Sequence, residues 1–387
     1  MPVINRIAEF ADEVAEWRRD FHTHPELGYD LPRTSGKVAD LLRTFGVDEI
    51  HTGIAQSGVV GVINGRGPGR TIGLRADMDA LPITERTGLD YASTTAGRMH
   101  ACGHDGHTAM LLGAARYLSE TRNFDGKAVL LFQPAEEGGA GGKAMVDEGV
   151  MDRFGIEEVY GVHNMPGQPA GSIALRPGPL MAASDKFEIL IEGKGGHAAW
   201  PQNTIDPVMI SAQLIMALHT IVSRDVDPLR SAVLSVTMLQ GGEAFNIIPR
   251  SVRLTGTVRS LNDDVRDLME EQIRTVTRGI VEAFGGTAQI NYHRGYPVTE
   301  NAAQQAAYAT RVAQEVAGAD RVDGNIDPKM GGEDFSYMLL ARPGAYAFLG
   351  NGDKSGELHS DTYNFNDEVI PVGVSYLVKL VENAPQG

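Results

Sequence analysis

The segment His100-Ala101-Cys102-Gly103-His104-Asp105-Gly106-His107 places three histidines and the only cysteine of a 387-residue chain within eight positions. A helical pattern follows at 106–120, so these candidate ligands stand in a loop that feeds a helix. Upstream, the apolar run 71–75 in Gly73-Leu74-Arg75-Ala76-Asp77-Met78-Asp79 reads as a strand that stops at acidic residues. Downstream, the runs 128–132 and 158–162 lead directly into Gln133-Pro134-Ala135-Glu136-Glu137 and His163. Further short apolar strands are expected at 58–63 and 345–349, with helices at 4–21 and 34–45. Strands alternating with helices predict an α/β domain with a mixed sheet flanked by helices. Asp77, Glu136, Glu137 and His163 would then all follow the carboxyl end of a strand, the edge where open α/β sheets bind their ligands.

The pattern changes around 174–184. Strand 186–193, helix 206–223, strands 231–240 and 251–259, helix 262–284 and strand 287–293 follow. That β-α-β-β-α-β order is a ferredoxin-like α+β unit of about 110 residues, a usual domain size. The α/β pattern resumes with a helix at 301–317. The expected organisation is a discontinuous metal-binding catalytic domain, 1–183 and 294–387, with an inserted ferredoxin-like domain at 184–293.

The formal charge of −16 opposes nucleic acid and anionic membrane as partners, because both need a basic surface. One cysteine excludes an intramolecular disulfide and fits a reducing compartment. The amino terminus lacks a secretory pattern and no apolar run approaches the ~20 residues of a membrane span. A cytoplasmic protein is therefore expected.

Thiolate and imidazole both suit Zn²⁺ and neighbouring transition metals, so Cys102 and His104 read as ligands. The competing reading is a thiol nucleophile activated by a histidine. In Glu136-Glu137 one carboxylate can bind metal while the other faces a reacting water, the division that metal-assisted hydrolysis needs. His163, and His359 in Leu358-His359-Ser360-Asp361, are isolated histidines whose case rests on the set. Asp77 and Asp79 are candidates for binding metal or for orienting a ligand imidazole. In the inserted domain, His197 follows the glycine turn Gly193-Lys194-Gly195-Gly196 and could donate to an oxyanion. Asn246 and Arg259 add an amide and a guanidinium suited to a carboxylate.

Assembled, these motifs resemble the aminoacylase and carboxypeptidase family of dinuclear metallohydrolases, and most closely its N-acyl-L-amino-acid amidohydrolases. The resemblance runs from Arg19-Asp20-Phe21-His22-Thr23-His24-Pro25-Glu26, through Met330-Gly331-Gly332-Glu333-Asp334-Phe335, to Leu358-His359-Ser360-Asp361 and Tyr363. It implies two divalent metal ions, Zn²⁺ or Mn²⁺ with Co²⁺ or Ni²⁺ as further options. Cys102 would bridge them, with His104 and His163 on one ion and Glu137 and His359 on the other. Glu136 is implied as general base, with Asp77 orienting His104 and His197 as oxyanion donor. Asn246, Arg259, Gly331 and Gly332 would bind a small N-acyl amino acid. The inserted domain would act as a lid and, through a sheet edge, join copies into a homodimer or homotetramer. A dipeptidase of the same family, a metal-free Cys102 thiol hydrolase and a non-catalytic binder of amino-acid conjugates are the alternatives.

Overall fold

The computed structural model describes residues 3–385. They form two compact units. The larger holds the described residues up to Leu180, together with Glu300–Asp327 and those from Asp334 onward; the smaller holds Met181–Thr299 and Pro328–Glu333.

The larger unit is built on an eight-stranded mixed sheet. Its centre is four parallel neighbours in the order Lys127–Gln133, Thr71–Asp77, Glu158–Pro166 and Gly344–Gly352. Gly58–Asn64 and then Glu49–Ile54 extend one side antiparallel, and the two-residue strands Ile173–Ala174 and Val322–Asp323 finish the other. Ala128-Val129-Leu130-Leu131-Phe132 is buried throughout, as a strand covered on both faces must be. Helices Ala11–Thr23, His104–Thr121 and Ile370–Glu382 pack on one another, and Val14, Phe21, Leu111, Leu118 and Val374 join one apolar core.

The amino-terminal helix expected over 4–21 is two helices, Asn5–Glu9 and Ala11–Thr23. Phe10, at φ −114°, leaves the helical region between them, and both Ile7 and Phe10 reach the core. The strand Glu49–Ile54 and the helices after Gln133 were not expected; the latter are too short for a periodic signal.

The smaller unit has the element order β-α-β-β-α-β. Its strands Ala183–Glu192, Ala232–Gln240, Ser251–Ser260 and Thr287–Arg294 form an antiparallel sheet with the first strand between the third and fourth. Helices Pro207–Thr220 and Asp263–Ala283 supply Ile210, Leu214, Leu218, Met269 and Ile273 to a core with Phe187, Ile189 and Leu254. Its limits are wider than 184–293, because Ala182 N–H donates to the carbonyls of Lys329 and Gly331 and ties 328–333 to this unit. One segment qualifies the expectation about apolar runs. Pro207–Asp225 is 19 residues with mean hydropathy 1.2, enough by length and composition to cross a membrane. Here Ile210, Leu214, Leu218 and Ile221 are buried in the unit's own core.

Candidate metal centre

The parallel strands end side by side, and the larger unit's candidate residues gather there. Asp77 closes its strand, and Glu136 and Glu137 follow Gln133 after a turn in which Ala135 takes φ +54°. His163 lies inside its strand, which runs on to Pro166, rather than beyond its end. His104 is the first residue of its helix rather than part of the preceding loop. Gly103 makes that possible at φ +90°, and a Cβ there would sit 2.1 Å from Asn164 Nδ2. His359 arrives on the loop after Gly352, itself at φ +63°.

Two triads share Cys102. The ligand atoms of Cys102, His104 and His163 lie within 4.8 Å of one another, and so do those of Cys102, Glu137 and His359. Cys102 Sγ is 3.5 Å from His163 Nε2, and His359 Nε2 is 3.2 Å from Glu137 Oε1. Glu136 stands within the same 4.8 Å of His104 and Glu137.

The histidine tautomers show whether metal fits. His104 Nδ1 is 2.8 Å from the Asp79 carbonyl and His163 Nδ1 is 2.6 Å from the Asn164 carbonyl. A carbonyl only accepts, so each Nδ1 carries a proton, and in the neutral ring each Nε2 keeps its lone pair. His104 Nε2 is buried with no hydrogen-bond partner. Two imidazoles fixed by backbone carbonyls, with lone pairs beside a buried thiol, are a donor set made for a metal ion. The residues present fit the metal pair.

Burial pushes the Cys102 thiol above its ordinary value, although His104 and His359 oppose it. The close approach of Cys102 and Glu137 pushes His359 up to about 10. For Glu137, burial raises the pKa, yet His359 and His104 outweigh it and hold the carboxyl below its usual range. Without metal, Cys102, His104 and His359 therefore favour their protonated forms, and uptake of an ion there would have to displace those protons.

Asp79, read from sequence only as a candidate, organises the loop of the paired glutamates. Its Oδ1 accepts the Glu136 N–H at 2.9 Å and its Oδ2 the Glu137 N–H at 3.1 Å. Asp77 differs from expectation. Its Oδ2 is 3.7 Å from His104 Nε2, too far for a hydrogen bond; its bonds go to Arg75 Nη1 at 2.7 Å and His107 Nδ1 at 2.6 Å. Burial raises the Asp77 pKa, but Arg75 beside it keeps the carboxyl well below the usual range. Arg75, Gln133 and Asp334 form a buried polar network that sequence reading missed, with Gly142 N–H donating to Asp334 Oδ2 at 2.8 Å. The glycines after Glu137 serve this packing: a Cβ on Gly141 would lie 1.7 Å from the Pro134 carbonyl oxygen.

The remaining predicted residues lie in the smaller unit. His197 pairs with Ile247 in a two-residue ladder, and the Asn246 carbonyl accepts the Ala198 N–H at 3.1 Å. His197 Nδ1 accepts the Ala199 N–H at 3.1 Å, so in the neutral ring Nε2 carries the proton. Arg259 is half-buried, bonded to Thr257 and to the Val258 carbonyl; among the described residues no carboxylate lies within ion-pair distance of it. Gly331 offers its carbonyl to Ala182 N–H at 2.9 Å, while Gly332 packs so close that a Cβ would sit 2.9 Å from Ser184 Cβ. Both belong with this unit rather than with the one that holds Cys102.

A mixed α/β sheet with thiol, imidazole and carboxylate ligands at the carboxyl edge defines the class: a metal-dependent hydrolase. Residues 73–383 match peptidase family M20/M25/M40, and the chain belongs to that family. It is 42% identical over 380 residues to a hippurate hydrolase of Campylobacter jejuni, covering 98% of both chains. It is 39% identical over 378 residues to thermostable carboxypeptidase 1 of Saccharolobus solfataricus, covering 95% of this chain and 94% of that one. Among solved structures it resembles the YXEP protein of Bacillus subtilis, a dinuclear metal-binding peptidase of family M20. The TM-score is 0.85 at 33% identity, over 97% of this chain and 98% of that one.

Proposed function

We propose that this chain hydrolyses the amide bond of N-acyl-L-amino acids, releasing a carboxylic acid and a free amino acid. The observation that carries the reading is Cys102 as the shared corner of two ligand triads, with Glu136 beside them. His104 and His163 would hold one divalent ion, Glu137 and His359 the other, and the Cys102 thiolate both. One thiolate, three imidazoles and one carboxylate favour Zn²⁺; Mn²⁺, Co²⁺ and Ni²⁺ accept the same atoms less selectively. Bound there, two such cations would supply Lewis acidity to the amide carbonyl and lower the pKa of a water to near neutrality.

Glu136 then takes the proton of the attacking water on its carboxylate and returns it to the leaving nitrogen, so the acyl–N bond breaks as the amine is neutralised. His197, with its proton on Nε2, is the donor proposed for the developing oxyanion. Arg259, with no carboxylate within ion-pair distance among the described residues, and Asn246 are proposed for the substrate carboxylate, with Gly331 and Gly332 allowing close approach. The smaller unit also supports a homodimer. Ala232–Gln240 is a sheet-edge strand, and Val233, Met238 and Leu239 on it are exposed. An apolar edge with unpaired backbone groups fits antiparallel addition of the same strand from a second copy.

The carboxypeptidase relative supports the second reading, hydrolysis of a peptide bond by the same machinery. A panel of N-acetyl, N-benzoyl and N-indoleacetyl amino acids beside dipeptides separates the two. The expected result is cleavage of acylated amino acids, abolished by chelator and restored by added Zn²⁺ or Mn²⁺. Faster cleavage of dipeptides favours the second reading. Chelator-resistant turnover that an alkylating agent stops contradicts both and makes Cys102 a nucleophile.

A further inference from the structure

His107, the third histidine of the motif, takes no part in the metal reading, yet it is buried at the centre of the sheet edge. The strands Thr71–Asp77 and Glu158–Pro166 pair side by side only as far as Arg75 against Gly161. Beyond that pair the Asn164 N–H faces the opening with no ladder partner from the neighbouring strand, and a buried unpaired N–H is costly. His107 fills the gap. Its Nε2 accepts the Asn164 N–H at 2.9 Å, and its Nδ1 is 2.6 Å from Asp77 Oδ1. A backbone N–H can only donate, so the His107 proton is on Nδ1 and is given to Asp77. Both ring nitrogens are thus committed, one to each of the parted strands.

Asn164 carries the connection onward. Its Nδ2 donates to the Cys102 carbonyl at 2.6 Å, its Oδ1 accepts the Tyr363 hydroxyl at 2.6 Å, and its own carbonyl accepts His163 Nδ1 at 2.6 Å. One residue therefore grips the backbone of Cys102 and sets the ring of His163.

We propose that His107 is a positioning residue that bridges the two parted strands, from Asp77 to Asn164, and thereby fixes Cys102 and His163 relative to one another. The inference rests on the metal reading of Cys102 and His163. His107→Phe keeps most of the volume and loses both hydrogen bonds. His107→Gln restores a donor and an acceptor on one amide.

The test is Co²⁺ titration of the metal-stripped full chain, reading stoichiometry, affinity and the thiolate–cobalt absorption band. Wild type is expected to bind two ions. His107→Phe is expected to bind the same number roughly 10–100-fold more weakly, with an altered thiolate band, as loss of an outer hydrogen-bond partner does. His107→Gln should recover most of the affinity. Unchanged affinity and band in His107→Phe overturn the proposal, and loss of one ion outright makes His107 a ligand instead. A wild type that binds no cobalt overturns the metal reading itself. Imidazole NMR of the wild type gives an answer even if the variants do not fold. His107 should remain the Nδ1–H tautomer with and without Zn²⁺, and a metal-induced shift at its Nε2 overturns the proposal.

Discussion

At the residue scale, chemistry and architecture are divided between neighbours that look alike in sequence. Glu136 and Glu137 are adjacent carboxylates, yet Glu137 stands 3.2 Å from His359 while Glu136 lies within 4.8 Å of His104. Glu136→Gln should retain both metal ions and lose turnover by roughly 10²–10⁴-fold, the usual worth of a general base. Metal analysis beside kcat checks this, and near-wild-type turnover would remove Glu136 from the role. His22 makes a second prediction, about pH. Burial opposes its charge, but bonds to Asp105 and Glu85 prevail and hold it up to about 9. A folded pKa raised above the unfolded value of about 6.5 stabilises fully below that pH and loses its effect as pH climbs through 9. The melting-temperature advantage of wild type over His22→Gln should therefore shrink between pH 6.5 and 9. A constant difference across that window would contradict a charged His22.

At the element scale, much was legible because the signals were local. Continuous apolar runs gave the buried parallel strands, and their polar punctuation placed Glu136 and Glu137 at the right edge. The helix expected from 106 starts earlier, at His104, because Gly103, which reads as a loop residue, takes a left-handed backbone that lets the helix begin at the next position. The bonds of Asp77 could not be read, since the partner to be chosen, His104 or His107, depends on how two strands part. The same holds for Asn164, whose partners Cys102 and Tyr363 lie far from it in sequence. Gly103→Ala forces a Cβ to within 2.5 Å of the Tyr363 hydroxyl. Overpacking there should cost about 1–3 kcal/mol in denaturant unfolding and weaken metal binding as well. Wild-type stability with wild-type metal affinity would show that the helix start tolerates displacement.

At the scale of the whole molecule, the two units carry different candidates: one gathers the proposed metal ligands, and the other carries His197, Asn246 and Arg259 with an apolar sheet edge. Its exposed Met238 and Leu239 should make the chain dimeric in solution. Met238→Lys combined with Leu239→Lys should yield monomers by light scattering without melting the unit; dimers that persist would place the interface elsewhere. The account stands or falls on the metal pair. The most direct measurement is metal content of protein purified without chelator and without added metal, read beside hydrolysis of an N-acyl amino acid. The account predicts about two divalent ions per chain, with activity lost in proportion as they are removed. Metal-free protein that still cleaves the substrate would contradict it, and would make Cys102 the nucleophile.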